Sequence, residues 1–243
     1  TVIKALSHDG EERWSRNLGT GTSQHGFGTS PIIAGGKLIL CNSQQKDQLP
    51  AGATVGESRM MAFDPKTGET IWESPTNTTR VCYSVPCVRE IADDGVELVC
   101  CNTGNGIFGM DIETGKINWE LPVFDKRCVA SPVVSGDLVL GSCGSGGGGN
   151  ILVAVRAGKN PEEVFRVRSN ANYVPTPIVY EGHGYLFGDK GVVSCVNLKD
   201  GKSVWRERLG TGFSGSPVCV NGNLYCMDEE GKMLVIAAEP QFK

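Results

Sequence analysis

The chain has 243 residues, 40% of them hydrophobic and 21% charged, and a net charge of −4. This is the composition of a globular protein that buries roughly 70–75% of its unfolded surface without needing a metal or disulfide staple. The acidic balance excludes the basic stripe of a nucleic-acid binder, and no apolar run approaches the ~18 residues of a membrane span.

Taken from Thr1, which has no Met before it and so reads as the start of a processed or excised piece, residues 1–19 predict two short strands ending near Trp14. Residues 20–76, 77–123, 124–169 and 170–210 then predict four repeats of one unit, and 211–243 begin another. Two independent landmarks set this division. A residue followed by Pro recurs at Ser30-Pro31, Val85-Pro86, Ser131-Pro132, Thr176-Pro177 and Ser216-Pro217, with 55, 46, 45 and 40 residues between prolines. An aromatic recurs at Trp14, Trp72, Trp119, Phe165 and Trp205, with intervals of 58, 47, 46 and 40.

Within each unit, four short runs of strand-forming residues are separated by Gly, Asn or Asp turns, and no helical period persists. The Pro marks the start of the first strand, where a missing N–H is tolerated. Four antiparallel strands per repeat of about 40–45 residues describe a β-propeller blade. The expected fold is therefore all-β, a propeller with four full blades and a partial blade at each end. The extra length of the first full repeat comes from a polar insertion, 42–58, expected to be an interaction loop. The Gly-rich stretch 143–150 lacks the Lys-Ser/Thr of a phosphate loop and predicts a hairpin loop.

The stretches "AFDPKTGETIW", "GMDIETGKINW" and "NLKDGKSVW" resemble the A-x-D-x-x-T-G-K-x-x-W motif of the PQQ-like propeller repeats. That family includes quinoprotein dehydrogenases and BamB-type assembly lipoproteins. The resemblance implies a ring of seven or eight blades, of which this chain forms an arc, the alternative being that the two end pieces join into a five-bladed ring with a strand to spare. It also implies an exported location in the periplasm or cell envelope. It assigns a structural role between blades to Trp14, Trp72, Trp119 and Trp205, with Asp64, Asp111, Gly68, Gly115 and Gly201 in the turns.

Two sets of residues are candidates for function. Cys100 and Cys101 are adjacent, and quinoprotein alcohol dehydrogenases hold a vicinal disulfide against PQQ within a "CCD…NRG" sequence. "CCNTGNG" is similar but has Asn102 in place of the Asp and lacks the Arg. Neighbouring strand residues point to opposite faces, so the pair is expected to be structural. His25, Arg80, Arg127 and Asn172 stand five or six residues before their repeat's Pro. In the family the first strand is innermost, which puts these four near the mouth of the channel as a polar, partly cationic ring for an anion or a peptide carboxylate.

The function expected is a non-catalytic binding or scaffold module of the cell envelope, with a protein partner or small ligand on the propeller face. No cofactor or metal is expected. One alternative is a fragment of a PQQ-dependent alcohol or sugar dehydrogenase, with PQQ and calcium as cofactors. Another is a sensor domain that self-associates through open blade edges.

Overall fold

The computed structural model describes residues 1–49, 51–91 and 95–243, and among these there is no helix. β1 (Val2–Leu6) and β2 (Glu12–Asn17) form a two-stranded sheet. Four antiparallel meanders of four strands follow. The first is β3 (Ile32–Ala34), β4 (Lys37–Asn42), β5 (Arg59–Phe63) and β6 (Thr70–Pro75). The second is β7 (Cys87–Ile91), β8 (Gly95–Asn102), β9 (Gly106–Asp111) and β10 (Ile117–Leu121). The third is β11 (Val133–Ser135), β12 (Leu138–Cys143), β13 (Ile151–Arg156) and β14 (Glu162–Val167). The fourth is β15 (Ile178–Tyr180), β16 (His183–Phe187), β17 (Val192–Asn197) and β18 (Ser203–Arg208). β19 (Val218–Val220), β20 (Asn223–Met227) and β21 (Met233–Ala237) form a final three-stranded sheet.

The hydrophobic core is divided into five clusters, one at each joint between successive sheets. The middle strands supply residues to both sides. In β8, Leu98 and Cys100 face the first meander, while Val99 and Cys101 face the third. This explains why these strands read as continuous apolar runs rather than alternating ones.

The repeat motif builds the joints. Asp64 caps its turn by accepting the N–H of Lys66 at 2.7 Å and of Thr67 at 3.1 Å, and Asp111 does the same for Glu113 and Thr114. Gly68, Gly115 and Gly201 close these turns at φ of 70°, 72° and 70°. A methyl group on Gly68 would lie 2.5 Å from the Trp14 ring, one on Gly115 2.5 Å from Trp72, and one on Gly201 2.3 Å from Phe165. Each turn glycine thus receives the aromatic of the preceding sheet. The indole N–H of Trp14 donates to the Pro65 carbonyl at 3.0 Å, and that of Trp72 to the Ile112 carbonyl at 3.1 Å.

The pattern changes at Trp119. The third meander has Ala157-Gly158-Lys159-Asn160-Pro161 where the motif turn should be. The Trp119 indole instead donates within its own meander, to the buried carboxylate of Glu97 at 3.0 and 3.1 Å. Glu97 also accepts Nε and Nη2 of the buried Arg89, at 2.8 and 2.6 Å. Gly109 makes the space, since a Cβ there would lie 2.2 Å from the indole nitrogen.

The residues before the prolines also connect neighbours. The N–H of Val85 donates to the Ser131 hydroxyl at 3.2 Å, that of Ser131 to Thr176 at 3.1 Å, and that of Thr176 to Ser216 at 3.0 Å. The small hydroxyl residue is therefore the acceptor for the sheet before it. Ser131→Ala leaves the half-buried Val85 N–H without an acceptor. The expected result is a loss of about 1 kcal/mol, a fall in Tm of about 2–4 °C, and faster amide exchange at Val85. Unchanged exchange at Val85 would mean that the hydroxyl bond carries no stability.

The arc is open. The face of the last sheet turned away from its neighbour presents Val218, Val220, Met227, Met233 and Val235, all about half exposed. At the other end Val2 and Leu6 are exposed on β1.

Candidate functional site

The segments entering each innermost strand and the loops between the second and third strands meet on one face. The N–H of Gln45 donates to the Thr22 carbonyl at 2.8 Å, that of Gly144 to Arg127 at 3.0 Å, and that of Glu229 to Gly212 at 3.0 Å. These bonds tie each entry segment to the loop of its own sheet, and the N–H of Lys46 to the Thr79 carbonyl at 2.9 Å, of Tyr83 to Cys128 at 2.8 Å and of Ala130 to Tyr173 at 3.2 Å join neighbouring sheets.

Arg127 occupies the junction of three sheets. Its Nε donates to the Val81 carbonyl at 2.8 Å and its Nη2 to Gln24 Oε1 at 3.0 Å. The guanidinium carbon lies 5.8 Å from the centre of the Tyr83 ring, within cation–π range. His25, next to Gln24, is exposed. Arg80 turns toward the insertion, with its Nε 3.8 Å from Asp47 Oδ1. Asn172 does not reach the surface. It is fully buried, and its Nδ2 donates to Ser142 Oγ at 3.1 Å and to the Pro175 carbonyl at 2.6 Å. The four residues therefore do not form one ring. Arg127 straps three sheets, Arg80 anchors a loop, His25 is free at the rim, and Asn172 is part of the loop's interior. Sequence spacing located these positions along their loops but not the directions of their side chains.

The 42–58 insertion is anchored rather than free at its start. Ser43 Oγ accepts the Cys82 N–H at 2.8 Å, Gln45 Oε1 accepts the Val81 N–H at 3.0 Å, and the Lys46 N–H reaches the Thr79 carbonyl at 2.9 Å. Val55, further along, is 62% exposed.

A cleft of about 410 Å³ opens on the same face, between the third and fourth meanders. The Gly-rich 145–149 segment forms one wall, and Arg168, Asn170, Asp189 and Lys190 contribute the polar groups. Asp189 accepts the Val174 N–H at 3.0 Å and Asn150 Nδ2 at 3.1 Å, and desolvation raises its carboxyl above the usual range. The Gly-rich stretch is the hairpin loop its composition predicts, between β12 and β13, but glycines carry no chemical signature of a cleft, so nothing in the sequence marked one here.

Cys100 and Cys101 are both buried, and they are not bonded to each other. Their side chains enter the cores of two different joints, and burial pushes both thiols well above the ordinary value. A thiol in such a position is a poor nucleophile while its strand stays closed. Cys101 instead explains Gly141 on the facing strand, where a Cβ would lie 2.7 Å from the Cys101 sulfur. Among the described residues no group of three His, Cys, Asp or Glu is placed to hold a metal ion.

A family model described as outer membrane protein assembly factor BamB matches residues 1–182 and 169–240. The chain belongs to this family. Two curated BamB relatives match, one from Moranella endobia (strain PCIT) at 23% identity over 72% of the chain, and one from Yersinia pestis at 20% over 98%. The matches cover 49% and 59% of those two relatives, so the chain spans about half the length of the curated BamB proteins it matches. Among solved structures, BamB from Moraxella catarrhalis superposes with a TM-score of 0.60 at 13% identity, covering 98% of this chain and 64% of that one. Saccharomyces cerevisiae Sqt1 gives 0.69 at 11% identity, covering 96% and 63%. At such identities the superpositions speak for the fold alone.

Proposed function

We propose that this BamB-family arc is a non-catalytic scaffold of the cell envelope that holds a protein partner or small ligand on its loop-bearing face. The observation that carries the proposal is how the repeat uses its notable residues. Trp14, Trp72 and Phe165 interlock the sheets with the motif glycines, and the vicinal cysteines serve two separate cores, while the loop face is a preformed polar surface centred on Arg127. The role of the relatives as outer membrane protein assembly factors supports an exported location and a protein partner.

Two measurements test this reading. A photo-cross-linking residue at His25 or Lys190, on the loop face, is expected to give a discrete protein adduct in cells. The same residue at Lys66 or Lys199, in the turns of the opposite face, is expected to give none. Equal labelling from both faces would remove the argument for the loop face. Titration with PQQ and calcium is expected to leave Tm unchanged. A saturable, calcium-dependent rise of about 5–10 °C that Cys100→Ala abolishes would instead favour the dehydrogenase reading.

A second reading, self-association, is favoured by the apolar outer face of the last sheet. It predicts a mass in solution that rises with concentration and returns to the monomer value in Val218→Lys/Val235→Lys.

A further inference from the structure

Four of the ten cysteines, Cys82, Cys101, Cys128 and Cys143, are buried in a single core, the joint between the second and third meanders, and a fifth, Cys87, packs against it. Cys82 and Cys128 differ from the others in geometry. They occupy equivalent positions in adjacent repeats, each four residues before its Pro, and both lie in loops with no sheet ladder to disturb. The Cys82 sulfur accepts the N–H of Cys128 itself at 3.3 Å. The two loops are locked alongside each other by Tyr83 N–H to the Cys128 carbonyl at 2.8 Å and by Arg127 Nε to the Val81 carbonyl at 2.8 Å. One of these bonds is main chain to main chain and the other comes from the Arg127 side chain, and together with the Cys128 N–H on the Cys82 sulfur they hold the two cysteines side by side.

We propose that Cys82 and Cys128 are an oxidative modification site, which closes into a disulfide clamping the second meander to the third. The oxidant is a disulfide, low-molecular-weight or protein-borne. The Cys82 thiolate attacks one of its sulfurs, breaks the S–S bond and releases one thiolate. Cys128 then gives up its proton and attacks the Cys82 sulfur of the mixed disulfide, expelling the second thiolate. The two protons lost by the protein end on the two released thiols, so one disulfide is made and one reduced.

The environment assigns the order of attack. Burial opposes ionisation of Cys82, but hydrogen bonds from the Cys128 thiol and N–H and from Thr103 outweigh it and bring its pKa down. Cys128 is pushed well up by burial and by the Cys82 thiol beside it. Both residues are sealed, at 1% and 0% exposure, so the reaction proceeds through opening of the loops. Cys100 and Cys101, divided between two cores, have no such route.

The test uses the purified chain under native conditions, incubated with oxidised glutathione, alkylated and mapped by mass spectrometry. Free thiols are expected to fall from ten to eight, with one cross-link joining Cys82 to Cys128. The cross-link closes a 46-residue separation and is expected to raise Tm by about 5–10 °C, reversibly with dithiothreitol. Cys143→Ser is expected to leave the cross-link intact, and Cys128→Ser to abolish it. Should Cys128→Ser fail to fold, the wild-type map alone decides. Ten persisting thiols, a cross-link between any other pair, or glutathione left on Cys82 with Cys128 free would overturn the proposal. None of these outcomes bears on partner binding at the loop face, so the two readings fail separately.

Discussion

Glu97→Ala is expected to destabilise the chain by about 3–5 kcal/mol, a large part of the stability of an ordinary domain. The carboxylate is almost fully buried and serves two donors, the Arg89 guanidinium and the Trp119 indole. Its removal leaves a buried cation and a buried N–H unpaired. Glu97→Gln is expected to cost less, because the amide oxygen still accepts the indole proton while Arg89 loses its counter-charge. Arg89→Met/Glu97→Leu, which removes both charges together, is expected to recover much of the loss. Urea unfolding followed by tryptophan fluorescence measures all three. A Glu97→Ala variant within about 1 kcal/mol of wild type would mean that water reaches Arg89 and that the network is not structural.

Trp72→Ala is expected to cost about 3–5 kcal/mol, for the cavity left at the first internal joint and for the lost bond to the Ile112 carbonyl. Gly115→Ala attacks the same contact from the other side. Its methyl meets the indole at 2.5 Å at a backbone φ of 72°, and an expected loss of more than 2 kcal/mol follows from overpacking and strain together. The two changes should not add. With the indole gone, the Gly115→Ala methyl has room, and only the strain of the turn remains. Trp14→Ala, at the end of the arc where the residue is only partly buried, is expected to cost distinctly less than Trp72→Ala. Equal losses at the two positions would refute the interlock as the source of the energy.

The blade was legible in the sequence because its signals are local. Asp64 caps a turn four residues long, and Pro31 immediately precedes the first strand of its own sheet, so each repeat announced itself without knowledge of its neighbours. What remained hidden depended on the next sheet. The Ser-Pro and Thr-Pro steps were visible as a landmark, but their hydroxyls act on the preceding repeat, some 40–46 residues away. Glu97 was a single acid inside an apolar run. Its meaning required knowing that the Ala157–Pro161 segment offers Trp119 no motif turn. Asn172 was expected at the channel mouth from its distance to Pro177, and the structure buries it because its amide is taken by Ser142 and Pro175. The vicinal cysteines were the easier case. Strand alternation alone divides them between two faces, and the two cores they enter follow from that.

Because each turn glycine meets the sheet before it, and among the contacts described above only Arg127 reaches past a neighbour, to Gln24, free energy in this molecule is shared mainly between adjacent units. Such a protein behaves as a short linear lattice with nearest-neighbour coupling. Its terminal units, β1–β2 and β19–β21, have one neighbour each and melt first, while the middle three joints melt last. The order of disassembly is thus set by position along the lattice more than by the residues of any one blade, and any further unit stacked on the apolar face of β19–β21 would move the fraying end outward by one step.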